Sequence, residues 1–172
     1  MEHSKLAKYS YTVDYAFEKY SDMVFSLSYS RLNKSYSDAQ DVTMEVFLRL
    51  LRYKPVIKSE ENLKAWLIRV AINCSLTQIK SNSRHSHNEL NDNSAQETKS
   101  AELIEISDER AKTVYNAVIL LPEKIRTAIH LFYYEELSIQ EIAKAMNTNI
   151  NTVKSWLSRG RERLKKMLGE NI

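Results

Sequence analysis

Apolar residues recur at helical spacing along most of the chain, and one long polar stretch interrupts them. Intervals of three and four separate apolar side chains within residues 11–32, 37–52 and 63–80, and again from residue 110 to residue 168. Only two glycines and two prolines occur, and no segment alternates strictly between apolar and polar positions. With 43% apolar residues for folded cores, the pattern predicts an all-α protein.

Residues 37–52 (SDAQDVTMEVFLRLLR) predict an amphipathic helix with an ordered charged face. At 100° per residue, one face holds Ala39, Val42, Val46, Phe47 and Leu50. The opposite face holds Asp38, Asp41, Glu45, Arg49 and Arg52. Acidic residues favour the N-terminal end of a helix, and Glu45 with Arg49 makes an i,i+4 pair, so helix stabilisation alone explains part of this face. A docking surface is the alternative reading.

Residues 63–80 predict a helix that is apolar around most of its circumference. The preceding loop, residues 53–62, contains Pro55, and its composition predicts a helix start near Ser59. Cys74, the only cysteine, lies on the apolar face and is expected in the core. A narrow polar stripe holds Trp66, Arg69, Asn73, Thr77 and Lys80. This stripe is either an amphipathic rim or a surface where a base stacks on the indole while the cations hold a strand backbone.

Residues 84–109 have few large apolar side chains and are rich in Ser, Asn and acids, which predicts a linker. The net charge of +3 is unevenly spread, because residues 81–110 hold three basic and seven acidic residues, a net −4 that leaves +7 elsewhere. We therefore predict two small helical domains, residues 1–83 and 110–172, joined by a linker at 84–109 that repels a shared polyanion.

Within the linker, His85 and His87 are expected to be solvated rather than metal ligands, and the apolar run 103–106 could dock on a surface.

Residues 138–168 (SIQEIAKAMNTNINTVKSWLSRGRERLKKML) predict two helices joined by a tight turn. Ser138 followed by Glu141 is a capping box, Asn147 tolerates a positive φ, and Asn149 is a second N-cap. The second helix has an apolar seam formed by Val153, Leu157, Gly160, Leu164 and Leu168. The arrangement is typical of a helix-turn-helix.

The second of these helices is strongly basic. Between residues 154 and 166, six Lys or Arg face the single acid Glu162, a local net of +5. Such a surface is either a solvated helix face or a phosphate-binding one. The N-terminal part of the second helix of a helix-turn-helix enters the major groove, so the side chains that reach base edges would be those of Lys154, Ser155, Ser158 and Arg159, with Arg161, Arg163 and Lys165 nearer the backbone.

Three stretches of the chain resemble bacterial sigma factors. The run from Glu141 to Leu168 resembles their promoter-reading helix-turn-helix, in which Thr-Val-Lys/Arg-Ser precedes Leu-Ser-Arg-x-Arg. DAQDVTMEVFLRLLR resembles the segment that docks on the polymerase β′ clamp, and AWLIRVAIN resembles the helix that melts and holds the downstream promoter element. Three positions depart from the family pattern, namely Met44 for a usual Gln, Asn147 for the turn glycine, and Ile150 for a polar or acidic residue. The chain thus resembles the compact extracytoplasmic-function (ECF) branch of the sigma-70 family.

The resemblance implies a transcription initiation factor that is not an enzyme and needs no cofactor or metal. Its implied core-polymerase contacts are Asp38, Asp41, Glu45 and Arg49. The implied contacts with single-stranded minus-ten DNA are Trp66, Arg69, Asn73 and Lys80. The implied contacts with the double-stranded minus-thirty-five box are Thr152, Lys154, Ser155, Ser158, Arg159 and Arg161. The implied partners are promoter DNA, core RNA polymerase through its β′ clamp coiled coil and β flap, and, as a further candidate, an anti-sigma factor. The expected location is the cytoplasm, without membrane insertion.

Two other function classes stay open from the residues alone. One is a stand-alone helix-turn-helix regulator whose N-terminal helices dimerise or sense an effector. The other is an interaction protein that binds polymerase without reading DNA, and the basic helix argues against it. Binding to purified core polymerase, followed by run-off transcription, separates these classes from an initiation factor.

Overall fold

The computed structural model describes residues 11–33, 35–88 and 109–169, and in those ranges every regular element is an α-helix. Seven helices follow in chain order: α1 (Val13–Arg31), α2 (Tyr36–Tyr53), α3 (Glu60–Asn88), α4 (Glu109–Ile119), α5 (Glu123–Tyr133), α6 (Ile139–Ala145) and α7 (Ile150–Leu168). The predicted all-α class is confirmed.

The first three helices form an N-terminal bundle whose core follows the predicted apolar faces. All five residues of the apolar face predicted for α2 are buried. They pack with Val24 and Leu27 of α1 and with Leu63 and Leu67 of α3. Cys74 is 5% exposed, as expected for a core thiol. Each helix has a polar start, because the hydroxyls of Thr12, Ser35 and Ser59 each accept a hydrogen bond from a backbone amide three residues on.

The last four helices form a C-terminal bundle around α5. Ile129 and Leu131 of α5, Ile142 of α6 and Leu157 of α7 are almost completely buried. Pro122 directly precedes α5. Leu120 belongs to the apolar pattern that the sequence shows from residue 110 onward, yet its side chain is 75% exposed. The helix ends at Ile119, so residue 120 lies in the turn and no longer follows the helical repeat.

The helices on either side of the predicted linker extend into residues 84–109. α3 continues to Asn88, and α4 begins at Glu109. The predicted docking run 103–106 lies outside the described residues, as do the side chains of His85 and His87.

The two bundles are in direct contact, which the sequence pattern did not predict. α1 packs against α5, and α3 packs against α6. This contact brings the helix-turn-helix close to the polar stripe of α3.

Candidate nucleic-acid interface

The helix-turn-helix is closed by side-chain caps at both of its helices. Ser138 N donates to Glu141 Oε2 at 2.8 Å, and Glu141 N donates to Ser138 Oγ at 3.3 Å, which completes the predicted capping box of α6. The Ser138 hydroxyl, which donates to Glu141 Oε2 at 2.6 Å, and the Ser138 backbone N–H lower the pKa of the Glu141 carboxyl. Asn147 has a φ of 49°, and Asn149 Oδ1 accepts from Thr152 N at 2.7 Å. The predicted turn and second N-cap are therefore confirmed.

The apolar seam of α7 fixes which face of that helix is turned outward. Val153, Leu157 and Gly160 are buried against the bundle, while Leu164 and Leu168 are half-buried. A Cβ atom at Gly160 would lie 2.8 Å from the Ile129 side chain, so α7 approaches α5 very closely. The opposite face of α7 is consequently directed away from the protein.

The basic residues of α7 lie on this outward face and along its edge, where Arg161 and Lys165 border the apolar seam. All six predicted cations of the helix are exposed, namely Lys154, Arg159, Arg161, Arg163, Lys165 and Lys166. Ser158 is exposed as well, whereas Thr152 and Ser155 are half-buried. Lys166 Nζ lies 2.8 Å from Glu162 Oε1, so the single acid is paired near the C-terminal end. The N-terminal half of the face is thus left with unopposed positive charge, as binding to DNA phosphates requires.

Trp156 is a residue of this helix that the sequence reasoning missed. Its side chain is half-buried and packs against the core. Helical spacing places it four residues after Thr152 and three before Arg159, at the border between the buried seam and the outward face. That spacing was readable from the sequence, and it identifies an indole at the edge of the predicted base-reading surface.

The polar stripe of α3 forms a second outward surface. Trp66 is half-buried against the core, and Arg69, Asn73 and Lys80 are exposed. Their spacing of three, four and seven residues sets them along one side of the helix. The indole is therefore held by contacts beneath it while a guanidinium and an amide stand next to it, as the predicted single-strand surface requires.

A hydrogen-bonded cluster fixes the start of α3 against α1. Glu60 Oε1 accepts from Tyr20 Oη at 2.8 Å and from Tyr15 Oη at 3.0 Å, and it also pairs with Lys19. The bonds from Lys19, Tyr20 and Tyr15 lower the pKa of Glu60 to about 2. Burial, followed by the contact with Glu60, raises the pKa of Tyr20 to about 12. The cluster orients α3, whose outward side carries Trp66.

The charged face of α2 is only partly free in the structure. Asp38 accepts hydrogen bonds from Gln78 Nε2 at 2.9 Å and from Asn82 Nδ2 at 3.0 Å, so it ties α2 to α3. Asp41 is exposed. Arg49 Nε donates to Glu45 Oε1 at 2.6 Å, and this bond raises the pKa of Arg49. Apolar side chains are exposed beside these charges, namely Met44, Leu48 and Leu51. The face thus combines charge with apolar area, which suits protein docking.

An apolar groove opens on the C-terminal bundle, away from the N-terminal half of α7. Val114 and Val118 of α4, Ile129 of α5, and Leu164 and Leu168 of α7 line it. Arg161 and Lys165 stand at its rim, and its volume is about 730 Å³. A groove of this composition fits an apolar peptide segment.

The described residues offer no metal site and no membrane span. No group of three or more His, Cys, Asp or Glu side chains in the described ranges is placed to hold a metal ion. Within those same ranges, no helix has both the length and the apolar content needed to cross a bilayer.

Comparison with known proteins matches both bundles to one family. The family model "Sigma-70 region 2" matches residues 16–85, and "Sigma-70, region 4" matches residues 111–164. The RNA polymerase sigma-H factor of Pseudomonas aeruginosa is 30% identical over 141 residues, covering 76% of this chain and 73% of that protein. The ECF RNA polymerase sigma factor SigW of Bacillus subtilis is 28% identical over 159 residues, covering 87% of this chain and 84% of that protein.

A solved structure shares the fold. The sigma factor RpoE of Bartonella quintana, crystallised in complex with the anti-sigma factor NepR, superposes with a TM-score of 0.70 at 21% identity. The match covers 91% of this chain and 96% of that chain. The match of residues 16–85 to a sigma region favours an initiation factor over a stand-alone regulator. The chain belongs to the ECF branch of the sigma-70 family of RNA polymerase sigma factors, non-enzymatic proteins that direct transcription initiation at promoters.

Proposed function

We propose that α7 reads the minus-thirty-five box as duplex DNA through the side chains at its N-terminal half. The observation that carries this proposal is the buried seam of Val153, Leu157 and Gly160, which turns a face of net positive charge outward. Lys154 and Arg159 lie within the first ten residues of the helix, where a recognition helix meets base edges. The remaining candidates for this contact are Thr152, Ser155, Ser158 and Arg161.

The polar stripe of α3 holds non-template bases of the minus-ten box once the strands part. Trp66 offers a face for stacking, Arg69 and Lys80 pair with backbone phosphates, and Asn73 offers an amide to a base edge. Unstacking a base takes a few kcal/mol, so the stripe must offset that amount with stacking and hydrogen bonds. The Glu60 cluster supports this role because it fixes the N-terminal end of α3.

Two further surfaces bind core polymerase. The α2 face with Asp41, Glu45 and Arg49 docks on the β′ clamp coiled coil, and the exposed Met44 and Leu48 add apolar area to that contact. Asp38 acts there mainly by fixing α2 to α3, since both of its carboxylate oxygens already accept hydrogen bonds. The apolar groove between α4, α5 and α7 receives the β flap.

The proposed domain limits are residues 1–83 for the polymerase and minus-ten domain, 84–109 for the linker, and 110–172 for the minus-thirty-five domain. As a partner of core polymerase the protein acts in the cytoplasm. The fold is shared with a sigma factor that was crystallised with an anti-sigma factor, and this supports the proposal that an anti-sigma factor also binds this chain.

In vitro transcription from genomic DNA tests the proposal, and no promoter has to be chosen beforehand. Core RNA polymerase is mixed with genomic DNA of the source organism, with or without the purified chain, and the 5′ ends of the transcripts are sequenced. We expect chain-dependent 5′ ends that share two upstream boxes, and we expect them to disappear with a variant that carries Arg159→Ala and Trp66→Ala together. The absence of any chain-dependent 5′ end would refute the proposal.

A further inference from the structure

The two flanks of α7, which lie between its buried seam and the middle of its outward face, differ in composition. At 100° per residue, one flank holds the exposed cations Lys154, Arg161 and Lys165. The other flank holds Thr152, Trp156 and Arg163, which fall within about 40° of one another around the helix axis. An indole therefore stands on one flank of the helix, whereas the opposite flank presents cations alone.

The Trp156 side chain is fixed by the core on one side and open on the other. It is half-buried and packs against the buried residues of the core. The indole N–H forms no hydrogen bond with any residue in the ranges 11–33, 35–88 and 109–169, and it is not one of the polar atoms that are sealed in the core there. This N–H is therefore open to solvent and free to donate. Because an indole donates hydrogen bonds and does not accept them, its partner must be an acceptor.

The width of the major groove decides what a flank of α7 meets on DNA. An α-helix with its side chains is roughly 10–12 Å across, and the major groove is about 12 Å wide. Side chains in the middle of the outward face of an inserted helix reach the base edges. Side chains on the two flanks stand against the walls of the groove, where phosphate and sugar oxygens are the hydrogen-bonding groups. The free N–H of Trp156 thus faces the kind of group that it needs.

We propose that the Trp156 indole donates a hydrogen bond to a backbone phosphate of the minus-thirty-five duplex and thereby sets the position of α7 in the major groove. This inference deepens the proposed function and rests on it, because it requires α7 to enter that groove. It assigns Trp156 a neutral contact that does not depend on sequence, distinct from base reading by Arg159.

A fixed donor is well suited to positioning a helix on DNA. A lysine or arginine loses rotamer freedom when it is held on a phosphate, whereas a half-buried indole has already lost much of that freedom in the folded protein. Phosphate contacts fix the register and orientation of a protein on the duplex. Since Arg159 follows Trp156 by three residues, a rigid contact at the indole holds that guanidinium at the same base pair in every complex.

The absence of charge on the indole separates this contact from those of the cations. A cation that neutralises a phosphate releases a counterion, and each such contact adds about 0.9 to the slope of log affinity against log salt concentration. An N–H group without net charge releases none. Loss of the indole contact should therefore weaken binding without changing the salt dependence.

Binding of the full-length protein to duplex DNA tests the contact. The probes are a promoter fragment recovered by the genomic transcription experiment and a scrambled duplex of the same composition, each titrated at several salt concentrations. Trp156→Phe keeps an aromatic ring against the core and removes the donor. We expect about tenfold weaker binding to both duplexes, which corresponds to the lower end for a hydrogen bond to a charged group, with an unchanged salt slope.

Two controls separate the contact from charge and from folding. Arg163→Ala, on the same flank, removes a cation and should make the salt slope shallower by about 0.9. Urea denaturation shows whether each variant is folded. A second measurement leaves position 156 unchanged: in a Trp66→Phe background Trp156 is the only tryptophan of the chain, and bound duplex should protect its fluorescence from quenching by acrylamide.

The outcomes distinguish this inference from the proposed function. Unchanged affinity of a folded Trp156→Phe protein, or acrylamide quenching that bound duplex does not alter, would overturn the inference alone. A loss confined to the promoter duplex would also overturn it, because the indole would then contact a base, such as a thymine methyl group. Equal losses on both duplexes, in a protein that does not prefer the promoter fragment, would support the phosphate contact and refute base reading by α7. An unchanged protein that binds neither duplex would refute both.

Discussion

Gly160 of α7 lies so close to Ile129 of α5 that an added Cβ atom would stand 2.8 Å from two carbons of the isoleucine side chain. Ile129 is only 1% exposed, so it has little room to move away. The absence of a side chain at position 160 lets the recognition helix lie directly on the helix that supports it. The orientation of the basic face depends on this contact.

Enlarging residue 160 should therefore destabilise the C-terminal bundle. Gly160→Val adds three carbon atoms at the contact, and overpacking of this kind lowers the free energy of unfolding by about 1–3 kcal/mol. Gly160→Ala is the matched control, because the better helix propensity of alanine, worth about 1 kcal/mol, opposes a smaller clash. Urea denaturation measures both variants. Equal stabilities for the Val and Ala variants would contradict this account of the contact.

Much of this bundle was predictable from the sequence because its signals are local. The capping box of Ser138 and Glu141, the positive φ of Asn147 and the N-cap Asn149 each depend on residues within three or four positions. The apolar seam of α7 likewise follows from helical spacing, and the buried face of α2 does so too.

The contacts that join the elements could not be predicted in the same way. Arg31 and Thr127 are 96 positions apart, and in the sequence Arg31 resembles an ordinary cation in the last turn of a helix. Asp38 resembles a helix-start carboxylate, yet it bonds to Gln78 and Asn82, which are 40 and 44 positions away. The spacing of apolar residues shows which face of a helix is buried. It does not show which distant polar groups the helix contacts.

Removing the N-cap of the recognition helix should weaken both the bundle and DNA binding. Asn149 Oδ1 accepts from the backbone N and the hydroxyl of Thr152, at 2.7 and 3.0 Å. Asn149→Ala leaves an amide at the helix start without its acceptor, which lowers the free energy of unfolding by about 1 kcal/mol. Asn149→Ser keeps an acceptor oxygen and should remain near the original stability. Urea denaturation measures the stability of both variants, and a binding assay measures their affinity for duplex DNA. If the alanine variant were as stable as the serine variant, the cap would not stabilise the helix.

The cluster around Glu60 predicts a pH dependence of stability. Its folded-state pKa is lowered to about 2 by the bonds from Lys19, Tyr20 and Tyr15. A carboxyl with a lowered pKa contributes its stability fully above its unfolded pKa, about 4.3, and loses it as the pH falls toward 2. Glu60→Gln should therefore melt at a lower temperature than the original protein at pH 7, and the difference should shrink between pH 4.5 and 2, on the basis of that shift.

Melting curves at several pH values check this expectation, with Glu61→Gln as the neighbouring control. Glu61 lies outside the cluster, and its pKa is lowered mainly by its hydrogen bond with Ser59. A constant difference between the original protein and Glu60→Gln at every pH would show that the carboxylate charge is not the stabilising feature.

Arg159 should read bases rather than only phosphates. It is exposed in the N-terminal half of α7, near the half-buried Ser155 and Trp156. Arg159→Ala should weaken binding to a promoter duplex by about 1–3 kcal/mol and relax specificity at one position. Lys166→Ala, at the far end of the helix and already paired with Glu162, should have a smaller effect that is the same for every sequence. Equal losses for Arg159→Ala on promoter and scrambled duplexes would assign this residue to the DNA backbone.

Trp66 should act only after the strands separate. Its indole rests on the core of the N-terminal bundle while its neighbours on the stripe are exposed, so a flipped base would stack on a fixed surface. Trp66→Ala should leave duplex binding to the minus-thirty-five box unchanged. It should reduce open complexes by the loss of about 1–3 kcal/mol of stacking. Trp66→Leu keeps apolar volume against the core without an aromatic face, so it separates stacking from folding. Permanganate reactivity of promoter thymines, measured with core polymerase, reports the open complex. If both variants gave the same reactivity as the original protein, Trp66 would have no role in strand melting.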